Sequence, residues 1–144
     1  GEGCPLCAPR SDDNEEWKKI AALEVSTLYL QRNQAYRGYS ILVFDGRHVS
    51  SMDRLTQDEY DALCRDLRAA AKAITQAVQP DHINYASLGN MVPHLHWHLI
   101  PRFQDDPRWG SAIWTTNSSE MISRTLTEEE YDVLVTAINE RLRV

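Results

Sequence analysis

The sequence predicts an α+β domain with a mainly antiparallel sheet, on three observations. Residues 25–30, 39–44 and 82–88 are short runs of β-branched and aromatic residues bounded by turn formers. Leu55-Thr56-Gln57-Asp58-Glu59-Tyr60 and Leu126-Thr127-Glu128-Glu129-Glu130-Tyr131 share one helix-start pattern. Residues 93–101, Pro-His-Leu-His-Trp-His-Leu-Ile-Pro, alternate histidine with bulky apolar residues, which is the period of a strand. Strands grouped in sequence, with helices set apart from them, give this class.

The chain has 144 residues, 42% of them hydrophobic and 25% charged, which suits a single domain with its own core. Residues 1–13 read as an N-terminal arm and 105–144 as a more variable segment ending in a helix. Nothing approaches the ~20-residue apolar run of a membrane span, and the N-terminus is too polar for a signal peptide. No membrane partner is expected, and the cytoplasm is the default location. Lys+Arg 15 against Asp+Glu 21 leaves a net charge of −6, which argues against nucleic acid as a partner. A small phosphorylated ligand held locally is compatible with that balance. Three cysteines do not make a secreted disulfide framework. Cys64 reads as a small core or boundary residue in a helix.

In chain order, residues 14–22 are expected to be a short helix, with Asn14 as N-cap and Glu15 and Glu16 in its first turn. Residues 25–30 and 39–44 then read as a hairpin, the second strand nearly continuous in apolar residues and so central. Asp45-Gly46 marks a turn before Arg47-His48-Val49. Residues 56–78 are the clearest helix. Thr56 and Glu59 form a capping box, Leu55 can staple onto Tyr60, and Tyr60, Leu63, Leu67, Ala70, Ile74 and Val78 make one apolar face. Pro80 stops it. A strand over 82–88, the turn Gly89-Asn90 and the histidine strand follow. The helix opening at 126–131 continues its stripe through Leu134, Val135, Ile138 and Leu142.

On the histidine strand, His94, His96 and His98 are expected on one face, with Leu95, Trp97 and Leu99 behind them in the core. Imidazole titrates near neutral pH and serves as nucleophile, proton carrier or metal ligand, so three in register mark a functional site. His82, isolated, reads as an ordinary satisfied polar residue. Cys4-x-x-Cys7 is either half of a Cys₂His₂ metal site or a pair of free thiols on a loose arm.

Residues 92–102, Val-Pro-His-Leu-His-Trp-His-Leu-Ile-Pro-Arg, resemble the His-φ-His-φ-His-φ-φ signature of the histidine triad (HIT) family, φ being apolar. The order of apolar strand into Arg47-His48-Val49, long helix, Asn-containing strand and Gly89-Asn90 extends the resemblance over roughly residues 4–104. Within that family the chain resembles a bacterial, diadenosine-polyphosphate-hydrolase-like branch. The resemblance implies a HIT-like fold of about five antiparallel strands with a long helix and a C-terminal helix, usually paired as a homodimer. It also implies a nucleotidyl hydrolase or transferase, of the dinucleoside polyphosphate or nucleoside phosphoramidate class, that attacks the α-phosphate of an adenine nucleotide conjugate. His96 is then the nucleophile, passing through a covalent nucleotidyl-histidine, and His98 holds the phosphate. Asn90 is implied as a donor to the substrate, and Asn84 is either a ribose or phosphate contact or a structural amide.

Two positions depart from the family pattern. Met91 stands where Ser or Thr is common and cannot donate a hydrogen bond, and Ser40 stands about where many relatives carry a histidine. Bacterial members often bind zinc, and the resemblance matches the four ligands to Cys4, Cys7, His48 and His94. Such an ion, closed by four protein ligands, is structural. No organic cofactor is expected. Arg102 reads as a phosphate contact or a surface salt-bridge residue. Trp109 and Trp114 either stack on a base or pack in the core or a dimer contact, the second being expected for at least one. Two other readings compete: a nucleotide-binding regulatory module with little turnover, and a metal-dependent hydrolase with His94 and His96 as ligands.

Overall fold

The computed structural model describes residues 3–7, 9–115 and 121–142. Five strands form one sheet in the order β1-β2-β3-β5-β4, all pairs antiparallel: β1 Trp17–Ala22, β2 Ser26–Gln31, β3 Ser40–Phe44, β4 His82–Ala86 and β5 His96–Arg102. Two helices, α1 Gln57–Val78 and α2 Glu128–Leu142, pack on one another. With a short 3₁₀ turn at Met52–Arg54, this is the α+β arrangement expected.

One sheet face is the main core. Leu28 and Leu30 from β2, Leu42 and Phe44 from β3 and Leu99 from β5 are buried against Leu63, Ala70 and Ile74 of α1 and Tyr131, Leu134 and Ile138 of α2. Burying the leucine, isoleucine and phenylalanine side chains among them stabilises by about 1.5–3 kcal/mol each. Both helix starts close as capping boxes. Glu59 N–H donates to Thr56 Oγ1 (3.2 Å) while Thr56 N–H donates to Glu59 Oε1 (2.8 Å), and Thr127 with Glu130 repeats the pair at 3.2 and 3.0 Å. Residue Gln79, in the left-handed region at φ 52°, ends α1 just before Pro80. Leu55 packs on the core as expected, but Tyr60 is exposed.

Residues 14–22 are not a helix. Asn14 Oδ1 accepts from the N–H groups of Glu16 and Trp17, an Asx turn leading into β1 rather than an N-cap. The misleading signal has a cause in the strand. Trp17 and Ile20 lie on opposite faces, as strand alternation requires, and the slip in β1–β2 register between Lys19 and Ala21 turns Ala21 to the helical core beside Ile20. Two buried side chains three residues apart, one on each face of the strand, have the spacing of a helix.

Among the described residues, no helix packs over the second sheet face. At one end, Leu6 of the arm covers Trp17, Tyr29, Ile41 and Val43. Arg10 holds the arm there, donating to the Leu6 carbonyl (2.7 Å) and the Tyr29 hydroxyl (2.9 Å) and pairing with Asp45. At the other end, Ile113 packs on Tyr36 and Ile100. His96 and His98 lie between these two covers, in the register Val43↔His96 and Ile41↔His98.

Candidate functional site

The histidine stretch becomes a strand only from His96, but the alternation expected from 94 holds. Leu95, Trp97 and Leu99 turn to the helical core, and His94 is buried. Two bonds align the residues before β5: Leu95 N–H donates to the Val49 carbonyl (2.8 Å) and Phe44 N–H to the Leu95 carbonyl (3.1 Å).

Each histidine has one nitrogen committed, which fixes the role of the other. His94 Nε2–H donates to the Phe44 carbonyl at 2.7 Å, so Nδ1 carries the lone pair. That Nδ1 lies 3.6 Å from both Cys4 Sγ and Cys7 Sγ, and His48 Nδ1 lies 3.2 Å from Cys7 Sγ. The four ligand atoms are all within 4.8 Å of one another. Bond lengths of a tetrahedral zinc place sulfur and nitrogen ligands about 3.5 Å apart, so this donor set fits such an ion. Burial holds the pKa of His94 below its ordinary value, and a neutral ring is the ligand form. Arg47 steadies the loop bearing His48 by a two-pronged pair with Glu59 (3.0 Å on each prong) and a bond to the Arg54 carbonyl (2.8 Å).

His96 Nδ1–H donates to the carbonyl of His94 at 2.6 Å. Its Nε2 lone pair is therefore free for chemistry, on a half-buried ring at the uncovered middle of the sheet. His98 is arranged in the opposite sense. Tyr39 stands 2.7 Å away, hydroxyl to Nδ1. Burial raises the Tyr39 pKa well above its ordinary range, so the phenol keeps its proton and donates it to Nδ1. Burial, then the neighbouring His96, pushes His98 down to about 4. His98 is thus a neutral ring whose proton sits on Nε2. The two rings lie 5.1 Å apart, so the face offers a nucleophilic nitrogen beside a hydrogen-bond donor.

Tyr39 is a site residue that sequence reasoning missed. Ser40, at the position discussed above, is fully buried, pairs with Leu99 and donates to the Gly38 carbonyl (2.9 Å). Tyr39 is aimed by the loop before it: Gln34, itself buried, donates to the Gln31 and Tyr39 carbonyls (2.8 and 3.0 Å) and accepts from Gly38 N–H (2.8 Å). Gly38 has φ +90°, and a Cβ there would meet Pro101 and Val78 at 3.1 Å.

The remaining candidates are dispersed. Asn90 is exposed and makes no side-chain hydrogen bond among the described residues, and Met91 beside it is 94% exposed. Asn84 shares the histidine face but pairs with Ile100, four residues along β5 from His96, which is about 13 Å at strand rise. Its Oδ1 accepts from Arg102 Nη1 at 2.8 Å. Arg102 is neither a phosphate contact nor a surface ion pair. It is 2% exposed and held by the buried Asp106 (2.7 Å) and by the carbonyls of Arg108 (2.5 Å) and Ser111 (2.7 Å). The tryptophans are outside the core of the chain: Trp109 is 39% and Trp114 38% exposed, with the Trp114 ring 5.0 Å from His98. His82 is exposed and Cys64 half-buried. Among the described residues, no helix is long and apolar enough to cross a membrane.

Comparison with known proteins gives a consistent result. The family model described as the HIT domain matches residues 14–105. A histidine triad protein of Sinorhizobium meliloti 1021 is 25% identical with a TM-score of 0.78, over 88% of this chain and 90% of that one. One from Marinobacter aquaeolei VT8 is 24% identical with a TM-score of 0.78, over 89% and 90%. A zinc-bound histidine triad family protein of Mycobacterium smegmatis is 16% identical with a TM-score of 0.58, over 87% and 83%. No curated protein matches.

Proposed function

The chain belongs to the HIT domain family, and from that premise we propose that it is a nucleotidyl hydrolase or transferase acting at the α-phosphate of an adenine nucleotide conjugate. The observation that carries this reading is the 2.6 Å bond from His96 Nδ1–H to the His94 carbonyl, which leaves Nε2 as the available nucleophile. In the proposed reaction the Nε2 lone pair attacks the α-phosphorus. A P–N bond forms, the bond to the leaving group breaks, and phosphate, polyphosphate or an amine departs with the electron pair. Water then attacks the nucleotidyl-histidine, giving one proton to solvent; the P–N electrons return to Nε2, and a nucleoside monophosphate leaves. His98 Nε2–H donates to a phosphoryl oxygen as charge develops on it, the kind of contribution that dominates acyl and phosphoryl transfer. Tyr39 acts through His98 and is a positioning residue.

Cys4, Cys7, His48 and His94 would hold a structural zinc ion through two thiolates and two imidazoles. The fit of their spacing to a tetrahedral ion supports this, as does the zinc-bound relative. With four protein ligands no position is open for water, so the ion would fix the arm rather than take part in the reaction. A homodimer is part of the same proposal, supported by the edge strand β4, where Tyr85 is half exposed.

The test is incubation with diadenosine polyphosphates and with adenosine phosphoramidate, following AMP release and adenylylation of the protein. His96→Ala is expected to lose both, by about 10⁴-fold or more in rate. Full turnover by that variant would overturn the reading. Binding of AMP with no turnover and no adduct would favour the regulatory module instead.

A further inference from the structure

The chain carries 21 acidic residues against 15 lysines and arginines, yet one groove on its surface is lined by cations and no acid among the described residues. It lies between the two helices, with Arg65, Arg68 and Lys72 from α1 and Arg141 from α2. The three α1 residues recur at steps of three and four, so they form one stripe along that helix. Ala69, small and exposed beside Arg68, leaves the stripe hollow rather than filled.

The acids nearest to these cations are engaged or turned away. Glu24 pairs with Arg65 at 2.8 Å. Asp66 is buried and accepts from the N–H groups of Glu24 (3.1 Å) and Val25 (2.8 Å) and from Ser26 Oγ (2.7 Å). Asp61, one turn before Arg65, accepts from Gln57 at 2.8 Å, and Glu140 is exposed outside the lining. Arg141 donates Nη1–H to the Ala137 carbonyl (2.8 Å) and keeps its other donors. Arg68 and Lys72 make no hydrogen bond or ion pair among the described residues. Like charges three and four residues apart oppose helix formation, so this stripe lowers the stability of α1 in the free chain. An anion seated between the cations removes that repulsion.

Size and charge select the ligand. The groove holds about 190 Å³, below the range of about 300–1,000 Å³ for drug-sized ligands, so it suits a compact anion rather than a whole nucleotide. A concave site of that size also favours a discrete anion over a flat lipid surface. Guanidinium groups meet phosphate oxygens through two parallel hydrogen bonds, and an ammonium adds a point charge. Cations standing on two helices call for an anion long enough to reach both. We propose that this groove binds a short oligophosphate, at a site separate from the histidine face. The two helices cover the opposite side of the sheet from His96, so the inference does not depend on the reaction assigned to the histidines.

Calorimetric titration of the full chain with sodium tripolyphosphate and with orthophosphate tests it. The parent chain is expected to bind tripolyphosphate at least about tenfold more tightly than orthophosphate, which cannot span the two helices. Arg68→Ala and Lys72→Ala are each expected to weaken tripolyphosphate by about tenfold, with Arg68→Lys retaining most of the affinity. Arg54→Ala, which removes an exposed arginine elsewhere, should stay within about twofold of the parent. Without ligand, Lys72→Ala should melt at or above the parent temperature, because it relieves repulsion along α1. No binding by the parent, equal affinity for orthophosphate, or equal losses in the Arg54 and Arg68 variants would overturn the site. So would a lower melting temperature of unligated Lys72→Ala, which would give the cations a structural role. Loss of binding in His96→Ala would move the anion to the histidine face and overturn the groove. Adsorption to phosphatidylserine vesicles without binding of tripolyphosphate would assign the patch to a membrane surface, and a changed molecular mass of Arg68→Ala would assign it to a second copy; either result overturns the proposal.

Discussion

The two ends of the histidine face are built with the same device and finished differently. At each end an irregular segment is pinned to the sheet by an arginine whose own side chain is buried: Arg10 with Asp45 at the arm, Arg102 with Asp106 at the tryptophan loop. The arm then buries its neighbourhood. Leu6 closes over Trp17 and Tyr29, and the thiols and imidazoles point at one another across 3.2–3.6 Å. The loop instead leaves its large side chains in solvent beside an open cleft. Equal anchoring with unequal covering separates a closed end from an open one, and His96 and His98 lie between them.

Four measurements break or sharpen that contrast. The largest effect is expected from Arg102→Ala. It leaves the Asp106 carboxylate buried without its cation, and breaking such a pair costs about 3–5 kcal/mol. Chemical denaturation should show that loss, and a destabilisation no greater than that of Arg10→Ala would put the two anchors on a par. Arg10→Ala should cost less, because its partner Asp45 remains a third exposed and can rehydrate. Next comes Cys4→Ser with Cys7→Ser. Metal analysis should fall from one equivalent of zinc to none, with a melting temperature several degrees lower and most of the turnover retained; unchanged metal content would remove the proposed ion.

A smaller effect, about tenfold or more in kcat with little change in KM, is expected from Tyr39→Phe, since His98 can then place its proton on the wrong nitrogen. An unchanged kcat would leave Tyr39 a packing residue. The last effect is on stability against pH. His98 titrates at about 4 in the folded chain, against the ordinary histidine value of about 6.5 in the unfolded one. Between those values the unfolded chain binds the extra proton, so stability is full above pH 6.5 and declines as pH falls towards 4. Denaturation of the His98→Gln variant at pH 7.5, 5.5 and 4.5 should show a shallower decline than the parent. Parallel curves would mean that the His98 environment carries no such linkage.

Much of this arrangement was legible in the residues. The capping boxes at Thr56 and Thr127, the buried central strand and the alternation of the histidine strand are local patterns, and local patterns survive folding. The four-residue cluster at Cys4, Cys7, His48 and His94 was reached only through family resemblance, because its members are up to 90 positions apart. Three features were hidden for stated reasons. Trp17 and Ile20, buried on opposite faces of β1, have helical spacing. Tyr39 looked like another apolar residue at the head of a strand, since nothing in its neighbours shows which way its hydroxyl points. Arg102 sits at a strand end where charged residues are ordinary, and its burial depends on a loop with no periodicity. Exposed tryptophans are likewise invisible to composition, which expects them inside.

The β1 bulge has a further consequence for how the chain can vary in length. Because one extra residue lets a six-residue strand turn both Ile20 and Ala21 to the helical core, the strand is tuned by count rather than by composition. Deleting Lys19 would restore a regular pleat and turn Ile20 out of the helical core. Conservative replacements along the same stretch would leave both where they are. Sequences of this fold that keep the arm-side cluster should therefore differ freely in the letters of this strand and hardly at all in its number of residues.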